Sequence, residues 1–151
     1  MGTSFAIRDF RIEDYEAAYA LWQASEGIGL SAADSKDNIG RFLAQNPGLS
    51  FVAEPAGPAA PRGGTQPVVG AVLASCDGRR GFLYHCAVAR AHRGQGIGRA
   101  LVARSLTGLA ALGMRKCHIF VAADNDGGKR FWQEIGWEER TTILVMSKDV
   151  S

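Results

Sequence analysis

Apolar and polar residues alternate over residues 5–10, with Phe5, Ile7 and Asp9 in step, and this predicts an opening strand. Residues 12–25 then change to helical spacing, with Tyr15, Ala18, Tyr19 and Trp22 sharing an inner face. A glycine-bearing loop follows, Glu26-Gly27-Ile28-Gly29-Leu30. Ser35 reads as the N-cap of a second helix through Ile39, Phe42 and Leu43, which Asn46-Pro47-Gly48 stops. Residues 49–53 and 67–75 read as two strands of a hairpin. Between them, residues 55–66 are rich in proline, glycine and alanine, too weakly apolar to pack, and read as a flexible tip.

The second half repeats the strand-then-helix order. Residues 81–88 form an apolar strand whose alternation puts Phe82, Tyr84 and Cys86 on one face and Leu83, His85 and Ala87 on the other. A basic, glycine-rich turn leads into a helix with Leu101, Val102, Ser105, Leu106, Leu109 and Leu112 along one face and Gly113 as its C-terminal stop. Residues 116–121 read as a short strand. The turn Asp124-Asn125-Asp126-Gly127-Gly128 opens a last helix that carries Phe131 and Trp132 and closes at Gly136-Trp137. A final hairpin is expected from residues 137–141 and 143–147. The sum is one α/β domain over residues 1–151, a mixed sheet of about seven strands with helices on both faces.

The turn Arg93-Gly94-Gln95-Gly96-Ile97-Gly98 carries the chemistry. Glycines admit close backbone approach, and successive amides at a helix start form a concave anion site beside which arginine adds charge-assisted hydrogen bonds. A pyrophosphate suits such a site. The dinucleotide fingerprint fails, because counting from Gly94 and Gly96 its third glycine falls on Arg99. The triphosphate loop fails too, because Gly98 is followed by Arg99-Ala100 rather than by Lys-Ser or Lys-Thr.

Arg93, Gly96 and Gly98 instead fill Gln/Arg-x-x-Gly-x-Gly/Ala, and the chain resembles the GNAT superfamily of N-acetyltransferases in this motif. Asn125, Phe131 and Gly136-Trp137 resemble that family's second motif, Asn-x-x-Ala-x-x-Phe-Tyr-x-x-x-Gly-Phe, with Gly128 and Trp132 where alanine and tyrosine are usual. The resemblance runs from Ile7 to Lys148. It implies that the fourth and fifth strands splay apart and that the amides of Gly94, Gln95, Gly96, Ile97 and Gly98, with Arg93 and Arg99, hold the pyrophosphate of acetyl-CoA as co-substrate. It further implies that the pantothenate arm lies along the backbone of Cys86, Ala87 and Val88, with Asn125 bonding it from the other side. Trp132 then packs against that arm or in the core.

The implied reaction is attack of a neutral primary amine on a thioester. The Val88 N–H is the implied oxyanion donor. Trp132 cannot protonate a thiolate, so the family's usual acid is missing. Tyr84 is the candidate replacement, and Glu26, near the implied acceptor entrance, is a further candidate. His85 titrates in a useful range but is expected to point away as a hydrogen-bonded structural histidine. Direct transfer is expected rather than an acyl-cysteine at Cys86, since a nucleophilic thiol needs a nearby base.

A net charge of +2 gives no global case for nucleic-acid or membrane binding. The charges are unevenly placed: residues 78–123 hold no acid but contain Arg79, Arg80, Arg90, Arg93, Arg99, Arg104, Arg115 and Lys116. Glu26 and Asp34 favour a cationic acceptor if they are not simply surface charge. Three cysteines without a Cys-x-x-Cys pair point away from a zinc site or disulfide framework, so no metal is expected and a cytoplasmic setting is. The expected activity is acetyl transfer to the amine of a small molecule or peptide. A non-catalytic acyl-CoA sensor or scaffold is the alternative. Homodimers are an open option, since members of the family often pair through C-terminal strands.

Overall fold

The structure is a computed structural model that describes residues 4–64 and 66–151. Five strands form one sheet in the order β1 (Phe5–Asp9), β2 (Phe51–Pro55), β3 (Gly70–Cys76), β4 (Gly81–Val88) and β5 (Cys117–Ile119). Neighbours are antiparallel from β1 to β4, and β5 joins β4 in parallel. Helices α1 (Tyr15–Gln23) and α2 (Lys36–Gln45) link β1 to β2, α3 (Ile97–Ala111) links β4 to β5, and α4 (Asp126–Glu134) follows β5. Ser35 caps α2 as expected, its Oγ accepting the Asn38 N–H at 3.3 Å. Gly113, just past α3, has φ +87°, the left-handed geometry of a helix stop.

Period-two alternation in the central strands divides the core between the two sheet faces. Phe51, Ala53, Val72, Ala74 and Leu83 meet Ile97, Leu101, Val102 and Leu109 of α3 and Trp132 of α4. Val52, Ala71, Leu73 and Ala87 meet Ala18, Leu21 and Trp22 of α1 and Ile39 of α2. Each face thus carries its own helices, and the mixed α/β architecture is the expected one.

The sheet has five strands rather than seven. Trp137 packs against Trp132 (centroids 4.8 Å apart), but residues 138–151 form no strand and leave Leu144 90 % and Met146 92 % exposed. The expected last hairpin fails for a local reason. Its turn would fall near Thr141 and Thr142, which lack the Asn-Gly or Gly-x chemistry of tight hairpins, and a two-strand hairpin without a partner sheet is marginal. The reading of residues 55–66 as a flexible tip includes Thr65, which lies outside the described residues; within that stretch Gly57–Ala59 forms a 3-10 turn.

Strand β4 departs from simple alternation. Ala71 pairs with Ala87 while Leu73 pairs with Tyr84, so β4 spends one residue more than β3 across this step. The irregularity coincides with His85, at φ +51° the one non-glycine residue of the described chain in the left-handed region. The consequence corrects the expected facing. Cys86 packs on the α3 side and Tyr84 on the α1/α2 side, and His85 joins Tyr84 instead of opposing it.

Candidate active site

Pairing between β4 and β5 covers Gly81, Phe82 and Leu83 and stops at Leu83↔Ile119. β4 runs on to Val88 with β3 along its inner edge, while among the described residues its outer edge from Tyr84 onward has no strand partner. A backbone edge inside a sheet that stays open is a template for an extended ligand. Cys86, Ala87 and Val88 lie on it.

The glycine turn sits at the end of this edge. Gly94 (φ +79°) and Gly96 (φ +84°) adopt a conformation that side chains disfavour, and Gly96 is the N-cap of α3. The first helical bond links the Ala100 N–H to the Gly96 carbonyl at 3.0 Å, so the amides of Ile97, Gly98 and Arg99 precede the ladder and are available to an anion. The Ile97 side chain is buried in the core, leaving its backbone for that role. A Cβ on Gly98 would lie 3.1 Å from Phe131 Cζ and 3.6 Å from Val88 Cγ2; the bare glycine seats the turn directly against the end of β4. Arg93 Nε donates to the Val88 carbonyl at 3.0 Å, and Ser4 Oγ donates to Gln95 Oε1 at 3.0 Å. Arg99 lines a groove of about 340 Å³ with Leu106, Glu134 and Trp137, between α3 and the end of α4.

Asn125 caps α4, its Oδ1 accepting the Gly128 N–H at 3.0 Å. A Cβ on Gly27 or on Gly128 would fall 2.3 or 2.4 Å from Asn125 Nδ2. In this geometry an alanine at position 128, usual in the family's motif, would require the Asn125 side chain to shift. The same contact lays the Gly27 loop against the start of α4. Trp132 is 7 % exposed, T-shaped on Phe131 and on Trp137, and is a core residue.

A second groove, of about 360 Å³, opens on the α1/α2 side between α2 and β4. Asp34, Asn38, Arg41, Phe42, Tyr84 and His85 are among its walls. The Tyr84 ring meets Phe42 edge-on and reaches Phe120 just past β5, so this groove abuts the gap between the strands. Burial, with Cys117 nearby, raises the Tyr84 phenol above its ordinary value and keeps it a proton donor at neutral pH. Burial also pushes the Cys86 thiol up to about 12, which disfavours a thiolate there and fits direct transfer.

The two acids expected to attract a cationic acceptor are both engaged. Glu26 stands 87 % exposed at the rim, 3.5 Å from Arg90 Nη2, and does not join the groove around Tyr84. Asp34 is only 7 % exposed, accepts the Ser31 N–H at Oδ2 (3.0 Å), and lies 2.7 Å from His85 Nε2 through Oδ1. Trp22, whose buried Nε1 has no hydrogen-bond partner, tilts against the imidazole at 5.0 Å. Sequence reasoning missed this pair. The capping-box spacing Ser31-x-x-Asp34 could have fixed Asp34 in place, but nothing local announces the bulge that turns His85 toward it.

Comparison with known proteins identifies the family. The profile of the Acetyltransferase (GNAT) family matches residues 11–137. An acetyltransferase of Sodalis glossinidius is 32 % identical over 142 residues, covering 94 % of this chain and 93 % of that one. One from Photorhabdus laumondii is 34 % identical over 134 residues, covering 89 % and 87 %. In fold, Ard1 from Thermoplasma volcanium superposes with a TM-score of 0.73 at 24 % identity, over 89 % of this chain and 82 % of its own. The aminoglycoside N-acetyltransferase AAC(6')-Iy, solved in complex with CoA, does so with a TM-score of 0.71 at 20 % identity, over 98 % and 97 %. With an open β4 edge ending on a glycine-lined helix start, and with these relatives, the chain belongs to the GNAT family of acetyltransferases.

Proposed function

We propose that this enzyme transfers the acetyl group of acetyl-CoA to a primary amine of a small molecule or peptide, by direct attack in a ternary complex. The observation that carries the reading is the gap between β4 and β5, which leads from the α2–β4 groove to the amides at the start of α3. In this reading the amides from Gly94 to Gly98, with Arg93 and Arg99 beside them, hold the diphosphate. The free edge at Cys86, Ala87 and Val88 receives the pantetheine arm as a neighbouring strand would be received, and Asn125 bonds it through Nδ2. The Val88 N–H stabilises the oxyanion. Tyr84 donates a proton to the departing sulfur from the α1/α2 side. Trp132 serves the core under the turn. Glu26 and Arg90, both exposed, shape only the rim.

The test is thiol release from acetyl-CoA over a panel of primary amines, beside calorimetry with CoA. Turnover with at least one amine supports the reading. Saturable CoA binding without turnover would instead support the sensor or scaffold alternative.

Homodimerisation is part of the proposal. The strand β5 has one paired edge, that to β4, while residues 141–146 read Thr-Thr-Ile-Leu-Val-Met, a β-forming run that stands exposed. A sheet edge that has no strand partner among the described residues and an exposed β-forming run, on one chain, are complementary between two copies.

A further inference from the structure

We propose that His85, oriented by Asp34, takes the proton from the acceptor's ammonium group in the groove between α2 and β4. The inference rests on the acetyltransfer reading above and supplies what that reading lacks, a group to unmask the amine.

His85 is held where a bulky side chain is disfavoured, at φ +51°, a strained conformation that its surroundings must offset. The offsetting contacts are specific. Asp34 is buried, and its two oxygens divide between the Ser31 N–H at 3.0 Å and His85 Nε2 at 2.7 Å. The Asp34 backbone is fixed in turn by Tyr15 of α1, whose hydroxyl donates to its carbonyl at 2.6 Å. The Trp22 indole walls the other side of the ring. A carboxylate only accepts, so in the neutral ring Nε2 carries the hydrogen and Nδ1 keeps its lone pair. Among the described residues no protein group hydrogen-bonds Nδ1. This is the arrangement in which a carboxylate sets the tautomer of an imidazole and leaves the second nitrogen as a base.

The position suits the task. His85 and Tyr84 are adjacent in the chain, and the bulge brings both to one groove. The charged and titratable groups around the ring are Asp34 from the 3-10 turn before α2, Arg41 from α2, Tyr84 from β4 and Tyr15 behind Asp34. Asp34 is the only anion among them, and it stabilises the imidazolium once formed. An alkylamine with a pKa of ~10 costs roughly 4 kcal/mol to neutralise at pH 7. His85 Nδ1 accepts that first proton and returns it to solvent. The free amine then forms the C–N bond, the C–S bond breaks, and the second amine proton ends on the CoA sulfur by way of Tyr84.

The variant His85→Gln tests this, because its amide can still donate to Asp34 but cannot accept a proton. Two acceptors are compared at neutral pH: the best alkylamine of the panel, which is protonated, and its isosteric alkoxyamine, which is not. The expected loss in kcat/KM is on the order of a hundredfold for the alkylamine and under about threefold for the alkoxyamine, with CoA affinity and melting temperature unchanged. Equal losses for both acceptors, or no loss for either, overturn the proposal and leave the acetyltransfer reading intact. A wild-type protein that binds CoA but acetylates no amine overturns both. An independent check uses no turnover: imidazole 15N shifts, assigned by difference from His85→Gln among only three histidines, should place the neutral ring's proton on Nε2. A proton on Nδ1 overturns the proposal.

Discussion

Charge placed at Gly96 should separate the diphosphate site from every other feature of the fold. Gly96 has φ +84°, and a Cβ there would meet nothing within 4 Å. Any side chain therefore brings the same backbone strain, about 1 kcal/mol, and no clash. Gly96→Ala, Gly96→Glu and Gly96→Lys should accordingly unfold at nearly the same temperature. Their CoA affinities should differ widely. A carboxylate ~6 Å from a diphosphate carrying two charges, in a medium of effective dielectric constant ~40, is repelled by about 3 kcal/mol. That is on the order of a hundredfold in Kd relative to Gly96→Ala, whereas Gly96→Lys should bind as well as Gly96→Ala or better. Titration calorimetry at low and high salt adds a signature. Because the Debye length falls from ~30 Å at 0.01 M to ~3 Å at 1 M, the gap between the Glu and Lys variants should narrow as salt rises. Glu and Lys variants of equal affinity, or a gap indifferent to salt, would refute the placement of the diphosphate at the start of α3.

Tyr84→Phe should lower kcat by about 10- to 100-fold with unchanged CoA affinity. Trp132→Phe should act on stability instead, by roughly 1–3 kcal/mol through a loosened core; the reverse ordering of their kinetic losses moves the acid role away from Tyr84. Gly70→Ala would put a Cβ 2.9 Å from Ile97 Cγ2 and 3.1 Å from Leu101 Cδ1, and should cost about 1–3 kcal/mol, read as a lowered melting temperature. Arg8 holds Asp14 by two bonds of 2.8 Å. Burial alone would raise the Asp14 carboxyl, but the Arg8 hydrogen bond, the Arg11 N–H and the nearby charges outweigh it and hold it below its ordinary value. The stability this contributes, roughly 1.5–3 kcal/mol, is present above the ordinary carboxylate pKa of ~4 and lost as pH falls through the depressed value. Urea unfolding should therefore show Asp14→Asn clearly weaker than wild type at pH 7, with the gap narrowing steadily as pH is lowered below ~4. Removing residues 138–151 should convert a dimer to a folded monomer in sedimentation velocity; a dimer surviving the truncation rejects pairing through the tail.

Most of the fold was legible because most of it obeys a period. Phe51, Val52 and Ala53, like Ala71, Val72, Leu73 and Ala74, assign themselves to alternate faces, and both faces found helices of the matching stripe. The turn at the start of α3 was legible for a different reason. Gly94 and Gly96 stand where only glycine is unstrained, so the backbone geometry is written directly in residue type. The C-terminal run was misread because strand propensity describes a residue's fitness for a pleated surface and says nothing of whether that surface exists. Ile143 and Leu144 have the propensity, and within one chain no edge receives them.

The groove around Tyr84 was only half legible, and the cause is a single inserted residue. Alternation is a parity rule, so one extra residue in β4 inverts the prediction for everything on one side of it. Tyr84 and Cys86, two apart, should share a face and do not; Tyr84 and His85, adjacent, should oppose each other and instead line one groove. A bulge commonly announces itself by a glycine. Here the left-handed residue is a histidine, and the contacts that hold it come from Asp34, fifty-one positions away in the chain. No local pattern can report a strain that is offset from so far. The same remoteness has a structural consequence: because the 3-10 turn before α2, rather than β4, supplies the orienting carboxylate, the imidazole and the phenol of Tyr84 line one groove while Cys86, Ala87 and Val88 keep an outer edge that has no strand partner among the described residues.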